Sequence, residues 1–224
     1  MRTIKDIHPA VATQIPEPPL AKFLFADTRL AWLWLVVRLY VGYEWITASC
    51  EKLTGHSIAI GSFGEPVKGG PWVFGAHDGV AMAGFVKGAL AQATGAHPAV
   101  QGWYAWFLQN YVAPNTVVFA YLVTFGEMLV GLGLIFGALT GIAAFFGMFM
   151  NLNFMLAGAV SINPVLGMFS ILLVLAWRIG GFYGVDRYLL PLLGTPWTGS
   201  LLGEDEVVER VEIVEKKSTS SVTV

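Results

Sequence analysis

Arg38, Glu127 and Asn151 each stand near the middle of an otherwise apolar run, where an ionisable group costs at least about 2.5 to 3.5 kcal/mol on insertion scales. Groups placed there face other helices and find partners. The expected arrangement is an Arg38–Glu127 ion pair with Asn151 as a hydrogen-bonding third member. Such a pair can carry chemistry or can simply lock helix register, and the residue types leave both open. For Asn151, and for Asn153 beside it, packing is the simpler role.

Helical spacing adds further polar groups to the first run. Arg38, Gly42, Trp45, Ser49 and Lys52 lie at offsets of 0, 4, 7, 11 and 14 residues, which places them on one stripe of a helix. Tyr40, Glu44, Thr47 and Glu51 form a second stripe about a third of a turn away. One end of this helix is therefore polar on two faces, more than an anchor requires. Glu44 has no cationic neighbour on its own face and is the candidate protonatable group. Trp103 and Trp106 fall in an aromatic segment with almost no charge, where such rings serve as interfacial anchors or as ligand clamps.

Composition says which solvent surrounds these residues. The 224-residue chain is 55% hydrophobic and only 12% charged, about half the charge of a soluble domain, with 26 glycines and 15 phenylalanines. The bilayer, rather than water, is the expected surrounding. No basic patch with interleaved aromatics is present, which excludes nucleic acid as a natural partner. The one cysteine, Cys50, makes neither an internal disulfide nor a redox pair and is expected to be inert. His8, His56, His77 and His97 all lie outside the apolar runs, so no histidine pair is placed to hold a haem between helices. No metal-binding, phosphate-binding or dinucleotide motif is found, and any redox carrier must be borrowed.

The elements that position these residues follow from the apolar runs. The predicted fold class is all-α, an integral membrane four-helix bundle with a long outer loop containing short interfacial helices. Its spans are about 30–48, 116–137, 142–161 and 165–179, the last with a further apolar stretch at Tyr188–Leu193, within a domain of residues 29–190. Leu139-Thr-Gly141 and Ile162-Asn-Pro164 are the tight connections that make neighbouring helices antiparallel. The outer loop, 49–115, is turn-rich and contains two short helical patterns, about Gly79–Ala93 and Val100–Tyr111. Residues 1–28 read as a Pro-rich arm and 191–224 as a charged tail. Lys22 and Arg29 before the first span, with Arg178 and Arg187 after the fourth, direct both termini to the cytoplasm of a bacterial or archaeal plasma membrane.

Several short motifs occur in a familiar order. Arg38-Leu-Tyr-Val-Gly42, Glu51-Lys52-Leu53, Glu127-x-x-x-Gly131 and Leu134 to Thr140, with Trp103-Tyr-Ala105 and the exit Gly184-Val-Asp-Arg187, resemble the DoxX/DoxD family of small four-helix membrane proteins. The resemblance runs from about Leu30 to Pro191 and is closer to the DoxD type, the large subunit of thiosulfate:quinone oxidoreductase. It implies a subunit of a quinone-linked oxidoreductase that takes electrons from thiosulfate or a related sulfur compound. Quinone then enters as co-substrate, and the candidate partners are the lipid bilayer, a small subunit or redox enzyme, and a second copy of the chain. On this reading Arg38, Glu44, Glu127 and Lys52 are the candidate catalytic residues, and Trp45, Glu51, Trp103 and Trp106 the candidate quinone contacts, with no metal. Two other classes compete: a small transporter using Arg38, Glu127 and Asn151 as a midplane path, and a scaffold anchoring a redox or stress enzyme.

Overall fold

The computed structural model describes residues 18–75 and 78–193. Most of the Pro-rich arm, nearly all of the charged tail, His8 and His77 lie outside the described residues. The regular secondary structure of the described residues is all helical, joined by turn-rich loops at 55–79 and 92–101, with one isolated bridge between His56 and Pro66. In chain order the helices are α1 (Pro19–Ala26), α2 (Ala31–Thr54), α3 (Val80–Ala91), α4 (Gly102–Phe107), α5 (Thr116–Phe136), α6 (Thr140–Leu156), α7 (Asn163–Leu175), α8 (Trp177–Gly180) and α9 (Asp186–Leu192). The end of the arm is thus a helix, with Pro19 in its first turn, where a missing N–H is no loss.

Four of these helices form the core, with α2 against α5, α5 against α6, α6 against α7, and α7 closing on α2. Gly42 and Gly131 set the spacing between α2 and α5. A Cβ on Gly42 would stand 2.9 Å from the Ile135 side chain, and one on Gly131 would stand 2.9 Å from the backbone nitrogen of Ile46. Small residues at these positions let the two backbones approach to direct contact. Because Gly42 meets Ile135 while Ser49 donates to the carbonyl of Thr124 (3.0 Å), α2 and α5 run antiparallel. Turns of a few residues at 137–139 and 157–162 make α5, α6 and α7 an antiparallel series.

The helix boundaries differ from the expected spans in ways that have local causes. α2 continues six residues past Ala48 because the polar groups of its last turns are held by α5 and the following loop, and it stops at Gly55 in the left-handed region (φ 74°). Val100–Tyr111 is not a separate interfacial helix. It opens a continuous helical run, Gly102–Phe136, that passes through a π turn (Leu108–Val112) and a tight turn at Ala113–Asn115, which together absorb Pro114. α6 begins at Thr140, inside the expected connection, and ends at Leu156. The Tyr188–Leu193 stretch does not extend α7 directly: α8 and a turn at 181–185 intervene, and α9 starts at Asp186 against the turn between α5 and α6.

Among the described residues, one helical run, Gly102–Phe136 (35 residues), is long and apolar enough to cross a membrane. α6 and α7 are apolar but have 17 and 13 residues, and the 24-residue α2 carries Arg38, Glu44, Glu51 and Lys52. The outward faces of the core helices are nevertheless hydrophobic, with Trp32 and Val36 on α2, Leu122 and Leu129 on α5, Phe145 and Phe149 on α6, and Ile171 on α7 all exposed. Inside, Arg38, Thr124, Glu127, Asn151 and Ser170 are buried.

Candidate functional site

The stripe expected on α2 is its inward face: Arg38, Gly42, Trp45 and Ser49 are buried and Lys52 is largely so. The expected Arg38–Glu127 pair does not form. Lys52 Nζ stands 2.7 and 2.9 Å from the two carboxylate oxygens of Glu127, and also donates to the carbonyl of Ala48 at 3.3 Å. The antiparallel packing explains the exchange of partners. Arg38, near the start of α2, falls level with Gly137 at the end of α5, about 15 Å along that helix from Glu127. Lys52, four turns further along α2, is the cation that comes within reach. Its position in the last turn also sets its charge against the helix's negative end.

Arg38 belongs to a different assembly at the opposite end of the bundle. Its Nη2 donates to the carbonyl of Tyr183 (3.0 Å), and its guanidinium occupies the space left by Gly137 (φ 64°) and Gly184, where a Cβ would collide with Nη1. Asp186 completes this end. Buried, it accepts the backbone N–H groups of Leu139 and Thr140 (2.8 Å for Thr140), so its carboxylate covers the N-terminus of α6 and steadies Leu139 at φ 51°. In the sequence Asp186 stands out only as part of the exit motif Gly184-Val-Asp-Arg187. Its signal was an acidic residue that had to be partnered if that turn packed on the bundle.

Asn151 is not a third member of either pair. It is fully buried between α6 and α7, and among the described residues neither of its amide atoms has a hydrogen-bond partner.

The Lys52–Glu127 pair forms one wall of a cavity of about 260 Å³. Glu44, Trp45, Lys52 and Glu127 all line it, which brings together four of the eight residues singled out from the sequence. Trp72 lies across from them with its ring 5.2 Å from Lys52 Nζ, a cation–π contact. Asn163 and Ser161, from the turn into α7, complete the polar part of the lining. Neither Trp72 nor the 161–163 turn is marked by helix periodicity: the loop after α2 folds back to place Trp72, whose backbone N–H donates to the carbonyl of Lys52 (2.7 Å), and the return of α6 and α7 brings the 161–163 turn to α2.

Trp45 gives the cavity an aromatic wall, while its indole N–H, buried and without a hydrogen-bond partner among the described residues, lies against Gly147 of α6, where a Cβ would stand 3.2 Å from that nitrogen. Glu44 is half-buried and makes no ion pair among the described residues, so a protonatable carboxyl stands at the cavity edge beside a buried ammonium–carboxylate pair.

The remaining expected contacts lie elsewhere. Glu51 accepts from the hydroxyl of Ser57 (2.9 Å) and ties α2 to the following loop, away from the cavity. Trp103 and Trp106 are 63% and 58% exposed and do not line the cavity. Their neighbour Tyr104 is the aromatic residue of that segment that turns inward, its hydroxyl donating to the Asn153 side chain and carbonyl (both 3.0 Å). Among the described residues no group of three or more His, Cys, Asp or Glu side chains is placed to hold a metal ion.

Comparison with family models, curated proteins and solved structures gives no match at all. The resemblance to the DoxX/DoxD family rests on the motifs given above, and the chemistry of the site on the residues themselves.

Proposed function

We propose that this chain is the membrane subunit of a quinone-linked oxidoreductase, in which α2, α5, α6 and α7 cross the plasma membrane and the cavity beside Lys52 and Glu127 takes the quinone ring. The membrane reading is supported by the inverted pattern of exposure. Water-soluble bundles seldom present a continuous apolar outer face, whereas here charged and amide side chains occupy the interior. α6 and α7 are short for a hydrocarbon layer of about 30 Å, and α8 lengthens the second of them.

The observation that carries the quinone reading is the convergence of Glu44, Trp45, Lys52 and Glu127 on one aromatic-walled cavity. A quinone ring needs an apolar slot, donors for its carbonyl oxygens and a proton source. Trp45 and Trp72 offer aromatic walls, Lys52 an ammonium donor whose positive charge stabilises the reduced oxygen, and Glu44 a carboxyl that can pass a proton. With thiosulfate as donor, as the family resemblance implies, two thiosulfate dianions join as tetrathionate and release two electrons. Those electrons and two protons convert quinone to quinol. The site of thiosulfate oxidation is assigned to a smaller partner subunit or redox enzyme.

The test is reduction of a soluble quinone analogue by the purified protein with thiosulfate, with and without membranes of the parent cell. Glu44→Gln is expected to slow turnover at least tenfold while leaving the thermal midpoint unchanged. Unaltered turnover removes Glu44 from the site, and no turnover under either condition overturns the reading.

A second reading, a small transporter, is favoured by one observation. Buried polar atoms without partners among the described residues recur along the interior, from Arg38 Nε and Nη1 to the Thr124, Asn151 and Ser170 side chains. Proteoliposome flux coupled to a pH gradient is its test.

A further inference from the structure

A second cavity, of about 330 Å³, lies next to the first and is its chemical opposite. It is enclosed by hydrocarbon and aromatic side chains from α3, from the Gly102–Phe136 run and from α6, among them Met82, Leu108, Val112, Val123 and Met150. Its two polar residues are already satisfied. The Tyr104 hydroxyl bonds Asn153, and the Asn153 amide donates to the carbonyl of Phe149 at 2.8 Å. A guest here meets no free donor or acceptor. Apolar cavities of about 150 Å³ already take a benzene-sized molecule, so this volume accommodates a longer hydrocarbon segment.

The two cavities share Phe85 and Phe154 as a common wall. These rings meet edge to face at 6.3 Å, and each continues into the polar cavity's own aromatics, Phe154 against Trp45 (6.4 Å) and Phe85 against Trp72 (6.2 Å). Phe85 and Phe154 thus stand between a charged chamber and a hydrocarbon one, with Trp45 and Trp72 on the charged side. On the far side, Leu122 and Phe149 line the apolar cavity and are also exposed on the outer faces of α5 and α6, so that chamber reaches the surface which the membrane reading gives to lipid.

Resting on the quinone reading above, we propose that the two cavities are two halves of one site for a lipid-tailed quinone, the ring lying against Lys52 and Glu127 and the isoprenoid tail filling the apolar chamber beside Tyr104. One amphiphilic molecule accounts for both linings, which a ring alone or a lipid chain alone does not. The inference is where the tail lies: it contributes to affinity from the apolar chamber and leaves between α5 and α6, where Leu122 and Phe149 are exposed.

The experiment compares a tail-less benzoquinone with a prenyl-tailed one, each titrated against the full-length protein in one detergent, reading quenching of tryptophan fluorescence, since Trp45 and Trp72 line the ring chamber. Val123→Phe, and independently Val112→Phe, fill the apolar chamber without touching the polar one. Both variants are expected to weaken the tailed quinone about tenfold and to leave the tail-less one unchanged, and partition into the micelle cancels because wild type and variant share it. Equal affinity of both variants and wild type for the tailed quinone places the tail elsewhere and overturns the inference while the ring site stands. Weakening of both quinones by both variants overturns it too, since the chambers then do not act separately. Absence of quenching by either quinone in the wild type removes the quinone reading itself.

Discussion

Lys52 Nζ bridges the two carboxylate oxygens of Glu127 at 2.9 and 2.7 Å, joining the last turn of α2 to the middle of α5. The partners are unequal: the Lys52 side chain retains 15% exposure and that of Glu127 only 1%. Removing the cation therefore leaves a buried carboxylate stranded, while removing the anion leaves an ammonium that can still reach the cavity.

Lys52→Met is expected to destabilise the bundle by about 3–5 kcal/mol, the usual cost of orphaning one member of a buried pair. Glu127→Gln is expected to cost clearly less, and Lys52→Met with Glu127→Gln less than Lys52→Met alone. Thermal unfolding of the four proteins in one detergent forms a double-mutant cycle that measures the coupling. Equal losses for the two single variants contradict the asymmetry.

Close approach of α2 and α5 gives a second prediction. Gly131→Ala forces its new methyl to within 2.9 Å of the Ile46 backbone nitrogen, a contact that cannot relax by side-chain rotation, and is expected to cost about 1–3 kcal/mol. Gly126→Ala, on the same helix, meets only the flexible end of Met150 at 3.3 Å and is expected to fall within about 0.5 kcal/mol of wild type. Unfolding midpoints of the pair distinguish a backbone contact from general intolerance to alanine.

At the other end, Asp186→Ala leaves the N–H groups of Leu139 and Thr140 without their acceptor. A loss of at least about 2 kcal/mol is expected, with Asp186→Asn intermediate because its amide oxygen can still accept. Limited proteolysis should then cut first near the 137–139 turn, and cleavage at wild-type rate would count against this role.

Ahead of α2, Asp27 receives hydrogen bonds from the Arg29 side chain and then from the Arg29 backbone N–H, and these hold its carboxyl down at about 2 from the ordinary 3.8. Because the folded value is depressed, the contribution is present above about pH 4 and is lost as pH falls toward 2. NMR titration should find the carboxyl titrating near 2, and Arg29→Gln should return it toward 3.8. A midpoint unaltered by that substitution rules out Arg29 as the cause.

Much of this architecture is legible in the order of residues. Apolar runs of helical length located all four core helices, because burial or lipid contact requires a continuous apolar surface whatever the partner. The offsets of Arg38, Gly42, Trp45, Ser49 and Lys52 identified the inward face of α2, since 3.6 residues per turn is a property of the chain itself. Pairing across helices is different in kind. Arg38 and Lys52 share one stripe and one charge sign, and nothing local states which of them meets Glu127. Antiparallel packing through Gly42 and Gly131 decided it, aligning Lys52 with Glu127 and Arg38 with Gly137. The same holds for the cavity: Glu44, Trp45 and Lys52 follow from helix periodicity, whereas Trp72, Asn163 and the Phe85–Phe154 wall come from segments that only tertiary folding sets against them. Short-range geometry is written in sequence because each residue constrains its neighbours; long-range contacts depend on how whole surfaces fit, and that fit exists only once the helices have packed.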